Sequence, residues 1–167
     1  MEEMMEIILA KSAGFCFGVK RAVDMVYEEA KHNPYVYTWG PIIHNEEVVK
    51  DLEAKGVNVL SSISQIESLI QEKKDFTLII RSHGIPKQLQ DKMNDLGVRV
   101  IDATCPFVKK IHRTVEQSSD TDKEVIIIGN KNHPEVEGIK AGVKQKLQLL
   151  KRKKKLKNLL PQQENQS

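Results

Sequence analysis

The sequence predicts an α/β fold of parallel-sheet lobes, a first lobe and part of a second, followed by a disordered or helical basic tail. Three observations carry this. Short apolar runs such as "FTLII" and "EVIII" alternate with segments of about a dozen residues whose apolar positions recur at helical spacing. Glycine or proline punctuates several of the junctions. Finally, 167 residues with 40% apolar and 29% charged side chains can bury a real core. Strands alternating with helices of this length imply parallel β-α-β units with right-handed crossovers.

Taken in order, "EIILAK" (6–11) reads as a strand running into the glycine-bearing turn "SAGFCFG". Val19, Ala22, Val23, Val26 and Ala30 then fall on one helical face. "YVYTWG" is rich in aromatic and β-branched residues, as a strand should be, and "PIIHN" follows as a loop. "EEVVKDLEAKG" is a helix stopped by Gly56. "VNVL", a helix through "ISQIESLIQEKK" and the strand "FTLIIRSHG" come next. "PKQLQDKMNDLG" is a helix with Pro86 near its first turn and Gly97 at its end. "VRVIDATCP", the helix "FVKKIHRTVEQSS" and the strand "EVIIIGN" complete the alternation. The expected organisation is a first lobe over 6–100, a partial second lobe over 101–140 and a basic tail over 141–167.

Charge divides the chain at the same place. Residues 141–167 hold eight of the 26 Lys and Arg and one of the 23 acids, leaving the body mildly acidic at −4 and the tail at +7. A basic run such as "KRKKKLK" can bind phosphate backbones, but most such runs are solvated, and this tail has no aromatic residue to stack on a base. A nucleic-acid-binding module is therefore the weakest reading. No segment approaches a membrane span, and "MEEMMEIILA" lacks a signal peptide's basic and apolar regions, so a cytoplasmic protein is expected.

The chemistry-bearing residues follow the predicted strands. Cys16 lies beyond "EIILA", His44 beyond "YVYTW", His83 beyond "TLIIRS", Cys105 beyond "VRVIDAT", and His133 with Glu135 beyond "EVIIIGN". In parallel sheets such positions share one rim, where ligands bind. Taken singly, each cysteine reads as core and each histidine as a structural hydrogen-bonding residue; five strand ends together point to a site. The cysteines lack the paired spacing of a structural zinc site, whereas iron–sulfur clusters accept dispersed thiolates. Three histidines suit the oxygens of an anion, Ser82 and Asn45 add neutral donors, and Glu135 can relay a proton. His32 and His112 sit on predicted helices and receive no role.

The motifs "AKSAGFCFGVKRAVDMV", "GPIIHNEEVV", "IIRSHGIP", "VIDATCPFVKKIH" and "GNKNHPEVEG" resemble, in order and spacing, those of the 4-hydroxy-3-methylbut-2-enyl diphosphate reductase family, from residue 6 to about 140. The resemblance implies three similar α/β lobes around a [4Fe-4S] cluster, each lobe giving one cysteine. It implies an allylic diphosphate substrate, whose hydroxyl is removed with two electrons and protons to give isopentenyl and dimethylallyl diphosphate in the methylerythritol phosphate route. An electron-donor protein such as ferredoxin or flavodoxin is the implied partner. By the same resemblance Cys16 and Cys105 are cluster ligands, His44, His83 and His133 hold the diphosphate, and Glu135 delivers the proton.

The chain departs from the family pattern in having only two cysteines and about half the expected length. One synonymous coding of "AGVKQKLQLLKRKKK", read two bases on, gives "WCKTEATIVKKKEE", a strand followed by a helix start. A frameshifted or truncated second lobe is therefore expected after Lys140, and with it a polypeptide that does not complete the reaction alone. A non-catalytic fragment is the companion reading.

Overall fold

The computed structural model describes residues 7–72, 75–119, 124–144 and 147–150. Four strands form one fully parallel sheet: β1 (Val36–Trp39), β2 (Asn58–Leu60), β3 (Thr77–Ile80) and β4 (Arg99–Asp102), in the order β2-β1-β3-β4. A second, two-stranded parallel sheet pairs β5 (Val125–Ile128) with β6 (Leu147–Leu150). The helices are α1 (Phe17–His32), α2 (Glu46–Ala54), α3 (Ile63–Gln71), α4 (Lys87–Asp95), α5 (Pro106–Ser119) and α6 (Pro134–Lys140).

The side-chain period of two divides the first sheet into two faces. Val36 and Ile79 pack with Ala22, Val23 and Val26 of α1 and with Leu52 of α2. Leu78 and Ile80 pack with Ile66 and Leu69 of α3, Met93 of α4, and Tyr37 and Trp39 at the cluster's edge. The central strand β3 is buried along its whole length, and each of its large aliphatic side chains stabilises the fold by about 2 kcal/mol. The helix starts are set locally. Asn45 caps α2 by accepting the Val48 N–H at 3.0 Å, and Ser62 with Gln65 forms a capping box on α3.

One polar network ties α1 across the bottom of this sheet. Glu29 pairs with Arg99 of β4, and Thr77, fully buried on β3, donates its hydroxyl to the Glu29 carboxylate at 2.8 Å. Asn33 donates to Thr77 Oγ1 at 3.0 Å.

Four expectations change. Residues 7–10 are not a strand: Ile7, Ile8 and Leu9 are about four-fifths exposed, because the run has strand composition but no ladder partner among the described residues. Cys16 therefore does not follow a strand; it is the N-cap of α1. The lobe boundary does not fall at residue 101, since β4 pairs with β3 in register from Thr77–Arg99 to Ile80–Asp102. The tail is not uniformly disordered or helical, because Leu147–Leu150 is a strand beside β5, its apolar residues meeting the "VIII" run. Residues 151–167, which include the whole run "KRKKKLK", lie outside the described residues. No helix among the described residues is long and apolar enough to cross a membrane.

Candidate functional site

The order of the four-stranded sheet places its change of direction between β1 and β3. From β1 the chain moves outward to β2, then returns past β1 to β3 and β4. Loops at the carboxyl ends of the two strands flanking such a reversal diverge and leave a crevice between them. His44 lies in the loop after β1 and His83 in the loop after β3. Their ring centroids are 4.4 Å apart. The Ser82 N–H donates to the Ile42 carbonyl at 3.2 Å, which stitches these loops together at the base of the crevice.

The second sheet completes the cluster. His133, in the connection after β5, has its ring centroid 5.7 Å from His44 and 5.8 Å from His83. It is also the N-cap of α6, with Pro134 in the first turn, and its Nδ1 accepts the Glu135 N–H at 3.3 Å. A neutral ring that accepts at Nδ1 carries its proton on Nε2, which leaves that nitrogen as the ring's donor. Pro134–Lys140, directly after this histidine, is thus a short helix. The signal for it was present in "HPE", a proline at the first helical position followed by an acid in the first turn.

His83 is the most perturbed member. Burial, and then the charges of His44, Arg81 and His133, push its pKa down from 6.5 to about 4. Its Nδ1 is buried with no hydrogen-bond partner in the structure. A buried donor–acceptor without a partner is costly and invites a ligand atom. Gly84, at φ +75, turns the chain directly after it.

Arg81 received no role from sequence, yet it backs the cluster. Its Nη1 lies 2.7 Å from where a Cβ on Gly40 would sit, so the glycine after β1 makes room for the guanidinium. Burial pulls Arg81 below its ordinary range, an effect that the Glu137 carboxylate on α6 opposes. Of the neutral donors, Asn45 spends its side-chain oxygen on the α2 cap, and Ser82 is buried with its carbonyl accepting the Cys105 N–H at 2.9 Å.

The first turn of α1, which follows Cys16, meets Cys105. Cys16 is exposed at the start of α1 and makes no capping hydrogen bond through its side chain. Cys105 immediately precedes α5, and its Sγ occupies the space a Cβ on Gly18 would need. Phe15, Phe17 and Phe107 flank them, each roughly half or more exposed. Glycine at 18 therefore lets Cys105 pack against the first turn of α1, two residues from Cys16. Among the described residues no three Cys, His, Asp or Glu side chains are grouped to hold a metal ion. The thiol pair suits iron–sulfur ligation in kind, but the donor set in this sequence is one thiolate short of the three that the family resemblance implies.

A family model described as LytB protein matches residues 7–166. The chain belongs to the LytB protein family. The match continues past Lys140, so the segment set apart by sequence as a non-family tail lies within the family's span. The chain is 45% identical over 157 residues to the 4-hydroxy-3-methylbut-2-enyl diphosphate reductase of Caldanaerobacter subterraneus subsp. tengcongensis, covering 93% of this chain and 53% of that protein. A solved (E)-4-hydroxy-3-methyl-but-2-enyl diphosphate reductase, the terminal enzyme of the non-mevalonate pathway, is similar at TM-score 0.73 and 40% identity, over 93% of this chain and 54% of that one. The Plasmodium falciparum reductase structure is similar at TM-score 0.78 and 31% identity, over 90% and 46%. The chain spans about half the length of the curated relatives it matches.

Proposed function

We propose that this LytB-family chain carries the diphosphate-binding and proton-delivering part of a reductase acting on 4-hydroxy-3-methylbut-2-enyl diphosphate. The observation that carries the reading is the convergence of His44, His83 and His133 at the sheet's reversal point, with an unpartnered nitrogen on His83. Three imidazoles within a few ångströms of one another repel when charged and share an anion readily. A diphosphate between them supplies the negative charge and acceptor oxygens that the rings lack. Glu135, directly after Pro134 in the first turn of α6, is the proposed donor of a proton to the leaving hydroxyl.

The reaction proposed removes that hydroxyl as water, consuming two electrons and two protons and leaving the allylic carbon with a new C–H bond. Cys16 and Cys105 are the residues that would hold iron–sulfur iron, which would supply the electrons from a donor protein such as ferredoxin or flavodoxin. The steps assigned to this chain's own groups are binding and proton transfer: the histidines bind and orient the diphosphate, and Glu135 gives one proton from its carboxyl group to the leaving oxygen. With two thiolates in its sequence, the 167-residue chain by itself is proposed to bind the anion without sustaining turnover.

Inorganic pyrophosphate is the simplest probe. Titration calorimetry should show binding that weakens about tenfold, or about 1.4 kcal/mol, for His83→Gln, with the helical circular-dichroism signal unchanged. Equal affinity for the wild-type chain and a variant with all three histidines replaced by glutamine would overturn the reading.

A further inference from the structure

His112 lies on α5, and neither its motif nor the reading above gives it a task. Its surroundings are nevertheless built around it. A Cβ on Gly84, next to His83, would stand 3.2 Å from His112 Cε1. A Cβ on Gly138 of α6 would stand 3.1 Å from Cε1 and 3.3 Å from Nε2. Two glycines on separate elements thus leave a slot that this imidazole fills. Nε2 is buried with no hydrogen-bond partner in the structure.

Residues three apart on a helix share a face, so the side of α6 that Nε2 meets at Gly138 is the side that also carries Glu135. Two carboxylates act on the ring from different elements, Glu135 from α6 and Asp102 from β4. Asp102 is already engaged, with Lys109 of α5 at 2.6 Å and the Thr104 N–H at 2.9 Å. Among the described residues the Glu135 carboxyl group has no such pairing, and His112 Nε2 has none either. Burial is the largest influence on the ring and favours its neutral form, with Glu135 and Asp102 opposing.

We propose that His112 is a positioning residue for Glu135: held in the slot between Gly84 and Gly138, it offers Nε2 as the hydrogen-bond partner of the Glu135 carboxyl group. A hydrogen bond donated to a carboxylate stabilises the charged form. An Nε2–H facing Glu135 therefore favours the carboxylate left once that residue has released its proton. The slot also sets the angle of α6 against the His83–Gly84 loop, so one side chain aligns the proton donor with the anion-binding ring. This rests on the reading of Glu135 as the proton donor.

The test is a nuclear magnetic resonance titration of the full chain with labelled histidines. In Glu135→Gln the His112 titration midpoint should fall by about half a unit, because an opposing negative charge is gone. In His112→Phe, which fills the slot, the Glu135 carboxyl carbon signal at pH 7 should move, and His112→Gln, which keeps a donor, should restore it. An unchanged His112 midpoint in Glu135→Gln overturns the proposal, and this arm does not depend on the folding of any His112 variant. Pyrophosphate binding to the wild-type chain judges the other reading separately. Binding without His112–Glu135 coupling sinks this proposal alone, whereas coupling without binding sinks the diphosphate reading and leaves the hydrogen-bond pairing standing.

Discussion

Gly18 and Cys105 stand so close that a Cβ on the glycine would overlap the cysteine Sγ and lie 3.0 Å from its Cβ. Gly18 is buried in the first turn of α1, two residues after Cys16. Gly18→Ala must displace either α1 or the start of α5. Overpacking of this kind costs about 1–3 kcal/mol. Urea unfolding should show that loss, and anaerobic reconstitution should leave less iron on the variant. A variant equal to wild type in both would mean that the contact has slack.

His83 makes stability depend on pH. Its pKa is about 4 in the folded chain against 6.5 ordinarily, so between those values the unfolded chain binds more protons. Stability from keeping His83 neutral is therefore complete above about pH 6.5 and is lost as pH falls toward 4. His83→Gln should flatten that limb of a stability-against-pH curve measured by urea unfolding.

Anion binding should run the opposite way. Inorganic pyrophosphate stabilises the imidazolium form, so its affinity should rise as pH falls from 7 to 5, with proton uptake on binding. Calorimetry in buffers of differing ionisation enthalpy measures that uptake. Binding with no uptake at pH 6 would show that the ring donates while neutral.

The Glu29–Arg99–Thr77 network predicts acid sensitivity elsewhere in the fold. Burial acts to raise the Glu29 pKa, but hydrogen bonds from Arg99 and Thr77 and the Arg99 charge outweigh it, so the net shift is downward. This stability is present above the ordinary carboxylate value and is lost as pH falls through the lowered one. Thr77→Val removes a fully buried hydroxyl from between Glu29, Arg99 and Asn33. It should cost about 1–3 kcal/mol in urea unfolding at pH 7.

Iron loading tests the thiol pair directly. After anaerobic reconstitution the chain should hold fewer than four irons, and Cys105→Ser should lower the iron and sulfide counts further. A full complement of four in the wild-type chain would show that two thiolates of one chain, or of two copies, suffice.

Most elements could be read from short-range pattern. Val19, Ala22, Val23 and Val26 announced α1, and the apolar run "FTLII" announced a strand, which the structure covers on both faces. Ile7, Ile8 and Leu9 carried the same composition and did not form a strand, because a strand needs a neighbour and composition cannot supply one. In β6 the reverse held. "LQLL" sits in a lysine-rich context that reads as a solvated tail, yet it pairs with β5. The identities of His44, His83, His133, Glu135, Cys16 and Cys105 stood out because reactive residues recurred at the junctions after the predicted strands. Arg81, His112 and the spacing role of Gly18 did not, since each acts by filling or vacating space beside a residue far away in sequence.

The sequence by itself determined the parallel α/β class, most of the helix and strand positions, and which side chains are the candidates for chemistry. These follow from local periodicity and from the residue types that each chemistry requires. Only the tertiary structure decided that β1 and β3 flank the reversal, that three imidazoles meet there, and that Cys105 rests against Gly18. Those are facts of strand order and close packing, and chain-distant contacts leave no period in a sequence.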